Sequence, residues 1–535
     1  MIETSAQRRA VLVFLCLGVA LRLWQWLADG TLWLDEIVLA RNILSRSLGE
    51  LVTQPLAFDQ VAPLGFLAAV KLSTLAFGGG ERALWLFSLA MGIAGLFLFR
   101  HLAERMLRGI AVPLALAMFA LGLALIRYSA EVKQYGIDAT MTVALTLLAF
   151  DLRQRDRTTA GYLAAGLAGL IVIWFSQASA IVMAGLGAAL AVMWVIERDR
   201  RTLRALLLTV PVWAAGSILA VIIGTRSMTP ATRAFMQDFW RGGFMPLPPR
   251  PSTAARWLWQ QFTSLFGDPW TLRYPLPWLF ALLALIGIMA LWRQRRDAAL
   301  LIAAPIALTM LAATAQQYPF RQRLIVFLVP SALLAAAAGA AWIAEQSRHK
   351  VAAVAIASAT LIPPVMALID AGMPARVDHY RPIYAYLQAN RRPGDAVYVM
   401  FLANSSAIFY GPRFGLQRTD YQPGSCSPDN TRVYLRDLDR FRGRPRVWIL
   451  SRSGPAYRVP REAMARYLGT IGVKREALVV ESSVGHPLEL ELFDLSDPVR
   501  LRAASAETFP VKPMPDYPRP GCRDWSGDAR LASSI

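Results

Sequence analysis

The stretch RRAVLVFLCLGVALRLWQWLADGTLWLDE (residues 8–36) decides the class of fold. Arg8 and Arg9 stand before an apolar run over 10–28. A helical span needs about 17–25 such residues to cross the hydrocarbon core. No small-residue cleavage site follows, so the run reads as a retained span and not as a signal peptide. Past its far end come Trp33-Leu34-Asp35-Glu36. Basic residues on the near side place the N-terminus in the cytoplasm and the carboxylates outside.

Segments of similar length recur at 83–101, 109–127, 136–152, 158–175, 178–196, 203–224, 274–292, 297–315, 323–342 and 350–369. Mean hydropathy is +0.39. Charged residues are only 17% of the chain, less than a soluble domain carries. The expected fold is therefore a polytopic α-helical membrane protein with about eleven transmembrane helices, counted by span length. After residue 369 the long apolar runs stop. Residues 1–369 read as the membrane domain and 370–535 as a soluble extracytoplasmic α/β domain.

With the N-terminus inside, the cytoplasmic connections are 100–108, 153–157, 198–204, 293–296 and 348–350, and every one is basic. The net charge of +20 thus reports orientation and not nucleic-acid binding. One apolar segment, 61–77, breaks the parity if it crosses. It is expected to stay on the outer side, making 29–82 a long first outer loop with helices near 35–48 and 61–76. A second outer loop, 225–273, carries Trp240, Trp257, Trp259 and Trp270, which suit an interface belt.

Three outer clusters could carry chemistry. The first is Asp35–Glu36. Its plain reading is a helix start with Asp35 as N-cap; the functional one is a carboxylate base at the membrane surface. The second runs from Arg127 to Asp138. If the chain is helical from Glu131, then Glu131, Tyr135 and Asp138 share one face, and Asp138 enters the outer part of a span. The plain reading is an ion pair of Asp138 with Arg127 or Lys133. The third is Gln316–Arg323, where Arg321 and Arg323 lie on the side that the positive-inside rule disfavours. Snorkelling explains them plainly; a phosphate clamp explains them functionally, because the guanidinium fork matches phosphate oxygens. His101, His349, His379 and His486 show no zinc spacing, and there is no Walker loop or Gly-x-Ser-x-Gly elbow.

These clusters resemble one family. Trp33–Glu36 resembles the Asp-Glu motif of GT-C membrane glycosyltransferases related to protein O-mannosyltransferases and the aminoarabinose transferase of lipid A, the glycosyltransferase family 39 type. Asp59-Gln60-Val61-Ala62-Pro63-Leu64-Gly65-Phe66 resembles their Pro-Pro-Leu helix, with Ala62 in place of the first Pro. Tyr128–Tyr135 resembles their Tyr-Ser-x-Glu-x-Arg-x-Tyr stretch, with Lys133 for Arg. Tyr318-Pro319-Phe320-x-x-Arg323 resembles a late motif. Trp85 stands where an Arg often begins span two.

The resemblance implies an inverting glycosyltransferase of the cell envelope. It would move a sugar from a polyprenyl-phosphate donor to a glycolipid, polysaccharide or protein acceptor outside the bacterial cytoplasmic membrane. Asp35 would be the catalytic carboxylate and Glu36 its neighbour. Lys133, Arg321, Arg323 and Arg127 would meet the donor phosphate, and Asp59, Tyr128, Glu131, Tyr135, Asp138 and Tyr318 would line the substrate site. The resemblance names no certain cofactor; a divalent cation among Asp35, Glu36, Glu131 and Asp138 is left open. Two other readings stand beside this one: a transporter or flippase for a polyprenyl-linked glycan, and a non-catalytic envelope-assembly protein.

In the soluble domain, strands are expected at 395–400, 446–450 and 488–493, with helices at 382–390 and near 461–468. Cys426 and Cys522 both fall there, beside Pro-Gly turns, and an oxidising compartment allows them to pair. Non-reducing mass spectrometry is expected to recover peptides holding Cys426 and Cys522 as one linked species; two free thiols would reject the pairing.

Overall fold

The structure is a computed structural model. It describes residues 4–58, 60–226, 228–271, 276–346, 355, 358–375, 377–427, 430–452, 458–481 and 487–513. The chain forms two compact units. One comprises Met1–Ala28, Val61–Arg226 and Trp240–Pro374; the other comprises Asp29–Gln60, Ser227–Phe239 and Ala375–Ile535.

The first unit is a helical membrane bundle. Among the described residues eight helices are long and apolar enough to cross a bilayer, or nine with a bent pair counted as one span. Eight of the eleven expected spans match these helices, and the span expected at 109–127 is the bent pair. The span expected at 158–175 is a shorter helix, Thr159–Val172. Most of the last one, 350–369, lies outside the described residues, with Ile362–Ala371 as its visible end. Gln322–Gln346 is the central span, 94% buried over its most apolar window, whereas Arg200–Thr225 is 22% buried over its own and lies at the periphery of the bundle. The central span packs tightly on Pro277–Gln294, because Gly287 and Gly339 each lie where an added Cβ would collide with the other helix's backbone.

The 61–77 segment forms a 14-residue helix, Leu64–Phe77. At 1.5 Å per residue it is about 21 Å long. Its start is docked: the Gly65 N–H donates to Trp174 O at 2.7 Å, and a Cβ at Gly65 would sit 2.8 Å from that oxygen.

The basic connections share one end of the bundle. Asp151 pairs with Arg105 at 3.5 Å and also with Arg157. Arg153 pairs with Asp199 at 3.6 Å, and Gln154 donates to Asp297 at 2.8 Å. The 348–350 connection lies outside the described residues.

The third span is broken. Ala111–Leu121 and Leu123–Ala130 meet at 55° across Gly122, whose ψ of 107° leaves the helical range. The break removes the usual donors for the last carbonyls of the first half, and buried carbonyls need replacements in an apolar medium. Trp270 supplies one, its indole Nε1 donating to Met118 O at 3.1 Å. Arg22, fully buried in the first span, supplies the others: Nη1 donates to Ala120 O at 3.3 Å and Nη2 to Phe119 O at 3.4 Å. Its cation at a helix C-terminus also suits the dipole. The Trp270 ring fills the break so closely that a Cβ at Gly122 would lie 2.9 Å from it.

The second unit is a five-stranded mixed sheet flanked by helices. Its strands are β1 (Ala396–Val399), β2 (Gln422–Pro423), β3 (Val447–Arg452), β4 (Val473–Val480) and β5 (Leu488–Asp494). They lie in the order β2-β1-β3-β5-β4. β1 is parallel to β2 and β3, while β5 is antiparallel to β3 and β4. The three expected strands and both helices are present. β4 was not expected: it is an exposed edge strand carrying Lys474, Arg475 and Glu476, so it lacks a buried apolar face, and its charges protect the edge. The helix Leu34–Ser45 belongs to this unit, with Leu34 packing on the core built by Tyr398, Phe401, Tyr434, Ile449 and Phe493.

Arg22→Met is expected to remove the donors to Phe119 O and Ala120 O and to destabilise the protein by about 1–3 kcal/mol. Thermal unfolding in detergent measures it; an unchanged midpoint would show that those carbonyls find other donors.

Candidate functional site

In the second unit, Asp35 and Glu36 open the helix Leu34–Ser45. The N-cap is Trp33, not Asp35. Glu36 is buried, and its Oε2 accepts the Trp33 N–H at 3.1 Å, the back half of a capping box. This carboxylate caps the helix start. Asp35, one position earlier, is half-buried. The adjacent acids therefore differ in their surroundings. The loop after this helix is tied back by Asn42, which donates to Ala57 O at 3.2 Å and accepts from Ala57 N at 2.9 Å. Asp59 lies outside the described residues, as does Cys522.

In the first unit, the Arg127–Asp138 stretch is not the continuous helix expected from Glu131. Tyr128–Ala130 is a 3-10 turn, Glu131 is extended (φ −144°, ψ 140°), and the helix begins at Tyr135. Tyr135 and Asp138 share its first turn, but Glu131 does not lie on their face. Packing overrides helix propensity here. Gly136 sits against Tyr128 O, where a Cβ would come to 3.0 Å, and the Ser88 hydroxyl donates to Glu131 O at 2.7 Å. The fold-back sets the Tyr128 and Tyr135 rings edge to face, 5.3 Å apart. It also places Glu131 4.0 Å from Arg127. Asp138 is buried, its Oδ1 has no hydrogen bond, and no ion pair to Arg127 or Lys133 is present among the described residues. Its polar neighbours are Ser176 and Tyr318. Lys133 is also buried.

The third cluster joins the second through Tyr318. Its hydroxyl donates to Leu324 O at 2.7 Å. Burial, reinforced by the nearby Asp138 and Tyr135, pushes its pKa up. Arg321 lies across Gly242, where a Cβ would collide with the guanidinium, and Phe320 N donates to Gly243 O at 2.8 Å. Arg323 stacks over Trp240 at 5.2 Å. Trp240, Trp257 and Trp270 are buried, so the expected interface belt is corrected: only Trp259 of the four is exposed. Trp240 packs under Arg323, Trp270 fills the break of the third span, and Trp257 joins the apolar core.

One residue of this region escaped sequence reasoning. Burial pushes the Asp268 carboxyl up, against the opposing pull of Arg127, Gln322, Arg323 and Arg321. Its place follows from Trp270, which is wedged in the break of the third span while its carbonyl accepts Ala124 N at 3.1 Å. Gly267-Asp268-Pro269 carries a turn signal, but nothing local says that three arginines will face it. Arg127, Arg321 and Arg323 thus converge on the Asp268 carboxylate, with Glu131 beside Arg127 and with Tyr128, Tyr135 and Tyr318 in the same region. That arrangement can hold a phosphate group. Among the described residues no three His, Cys, Asp or Glu side chains gather closely enough to hold a metal ion.

No family model and no curated protein matches the sequence. Solved structures do match. ArnT from Cupriavidus metallidurans in the apo state superposes with a TM-score of 0.52 at 14% identity, over 91% of this chain and 98% of that one. The apo oligosaccharyltransferase of Archaeoglobus fulgidus gives 0.51 at 10% identity, over 86% of this chain and 70% of that one. Both are membrane glycosyltransferases of the GT-C type. The chain has the GT-C fold. Archaeal AglB from Archaeoglobus fulgidus, in complex with an inhibitory peptide and a dolichol-phosphate, gives 0.50 at 10% identity, over 88% of this chain and 73% of that one. The GT-C likeness takes in the soluble domain as well as the bundle, since it runs over about nine-tenths of the chain.

Proposed function

We propose that this protein is an inverting glycosyltransferase using a polyprenyl-phosphate-linked sugar. The observation that carries the reading is the convergence of Arg127, Arg321 and Arg323 at one end of a GT-C bundle whose other end gathers the basic connections. A lipid phosphate lies at the depth where such arginines meet it, and guanidinium groups bind it through charge-assisted hydrogen bonds. AglB supports the class of donor: it was seen with a dolichol-phosphate and shares this fold.

The chemistry is a displacement at the anomeric carbon. An acceptor hydroxyl attacks that carbon from the face opposite the phosphate. The bond from carbon to phosphate oxygen breaks, its electron pair leaves on the phosphate, and the acceptor proton passes to Asp35. Arg127, Arg321 and Arg323 neutralise the charge on the departing phosphate; Lys133 and the tyrosines 128, 135 and 318 line the site. Glu36 supports the helix that carries Asp35. The protein sits in the bacterial cytoplasmic membrane, with its N-terminus inside and the C-terminal domain outside, an orientation supported by the basic connections.

Asp35→Asn is expected to lower transfer from undecaprenyl-phosphate sugars by at least about 100-fold while the protein still accumulates as a monodisperse species. Transfer at the normal rate would sink the assignment of the base. Arg323→Met is expected to raise the donor KM about tenfold or more, from loss of a charge-assisted contact. An unaltered donor KM would move the phosphate elsewhere.

A further inference from the structure

The basic end of the bundle sorts its charges in a way that orientation does not require. Past the span Ser179–Glu197 the signs alternate along the chain: Glu197, Arg198, Asp199, Arg200. Opposite charges so close together attract one another. Here the fold separates them. Arg153, from the span Tyr135–Gln154, draws in both acids: it pairs with Glu197, and its Nη1 lies 3.6 Å from Asp199 Oδ2. The other Asp199 oxygen accepts Thr202 N at 2.9 Å and caps the helix Arg200–Leu208. Arg198 and Arg200 stay exposed, and among the described residues neither has a carboxylate partner.

These two cations border the apolar surface of the bundle. Arg198 ends its span in the left-handed conformation (φ 53°), where glycine is usual, and its guanidinium lies over the Trp194 ring at 4.7 Å. Tryptophan and basic side chains at a span's end suit the depth of lipid headgroups. Val195 and Ile196, just before that end, are exposed. In the next helix Arg200, Arg204 and Leu207 follow i, i+4, i+7 spacing and share one exposed face. That helix leads on into a span, so Leu207 lies deeper than the two arginines. Arg204 is loosely held: Asp156 is 3.3 Å away, and both side chains are more than half exposed. Arg201 is used within the bundle, donating to Gln154 O at 3.3 Å. Orientation asks only for an excess of positive charge at this end. It does not ask that the acids be drawn inward and the arginines left beside apolar surface.

We propose that Arg198, Arg200 and Arg204 form a binding site for the phosphate of an anionic phospholipid, whose acyl chains lie on Val195, Ile196 and Leu207. The inference does not rest on the transferase reading, and its residues are not those proposed to meet the donor. An anionic headgroup supplies the countercharge that Arg153 has withdrawn, and guanidinium donors match phosphate oxygens. A zwitterionic headgroup carries its own cation and gains less there.

The test uses the full chain, delipidated in mild detergent. Dioleoylphosphatidylglycerol is the probe and dioleoylphosphatidylcholine its zwitterionic counterpart, with dissociation constants read by native mass spectrometry. Arg198→Gln/Arg200→Gln is expected to weaken phosphatidylglycerol about tenfold or more and to leave phosphatidylcholine unchanged. Arg155→Gln removes another exposed charge from the same end, one that Asp151 already pairs at 3.3 Å, and is expected to cost less than about twofold. Equal losses in the two variants would reduce the effect to diffuse attraction and overturn the site. So would wild-type protein that holds phosphatidylcholine as tightly as phosphatidylglycerol. Displacement of the bound lipid by excess inorganic phosphate would overturn the lipid assignment. Thermal unfolding without lipid checks that the double variant is folded. Should it not be, Arg204→Gln takes its place, with an expected loss of about fivefold, and an unchanged affinity overturns the site.

Discussion

The membrane unit depends on how backbone carbonyls are satisfied where no water can reach them. Gly122 interrupts the third span, and the freed carbonyls of Met118, Phe119 and Ala120 would be prohibitive in an apolar bundle without donors. They are met by an indole from the second outer loop and a guanidinium from the first span. This one repair has consequences well beyond its own hydrogen bonds. It bends the span by 55°, so that Arg127 and Tyr128 leave the helix axis and the chain folds back through Glu131. It also anchors the second outer loop at Trp270, which sets Asp268 beside Arg127, Arg321 and Arg323. The cationic end of the bundle is thus a product of a helix break and its caps.

The second unit follows a different logic. Its sheet core is ordinary, with Tyr398, Ile449 and Phe493 buried between helices. Its peculiarity is that the chain just after the first span is built into it. Thr31, Leu32 and Leu34 each contact groups from the C-terminal third of the sequence, more than 340 residues away in the case of Thr31. A helix of 12 residues such as Leu34–Ser45 is marginal on its own. Its stability comes from that packing and from the Glu36 cap. Asp35 is consequently presented by the soluble domain's framework and not by a free loop.

Much of this was legible in the primary structure. Apolar runs and loop charges located the spans, because hydrophobic thickness and charge asymmetry are local properties that a linear scan can read. The same scan kept residues 61–77 out of the list of crossing segments, where the chain forms the helix Leu64–Phe77. Strands β1, β3 and β5 carried their buried pattern openly. β4 did not, because an edge strand need not bury a face. The helix expected from Glu131 failed for a related reason: Gly136 against Tyr128 is a contact decided by packing, and propensity cannot see it. The tryptophans of the second outer loop were visible as residues but not as caps, since a buried indole and an interfacial one look alike in a sequence.

By itself, then, the sequence determined the class of protein, the number and order of its apolar segments, and which loops hold carboxylates and arginines. Those depend on composition and on spacing along the chain. Only the tertiary structure decided which charges meet. It paired Arg127 with Glu131, left Asp138 without an ion pair among the described residues, brought Asp268 among three arginines, and paired Arg452 with Asp378. Charges interact through space, and the separations that matter here are set by the folding back of segments distant in the chain.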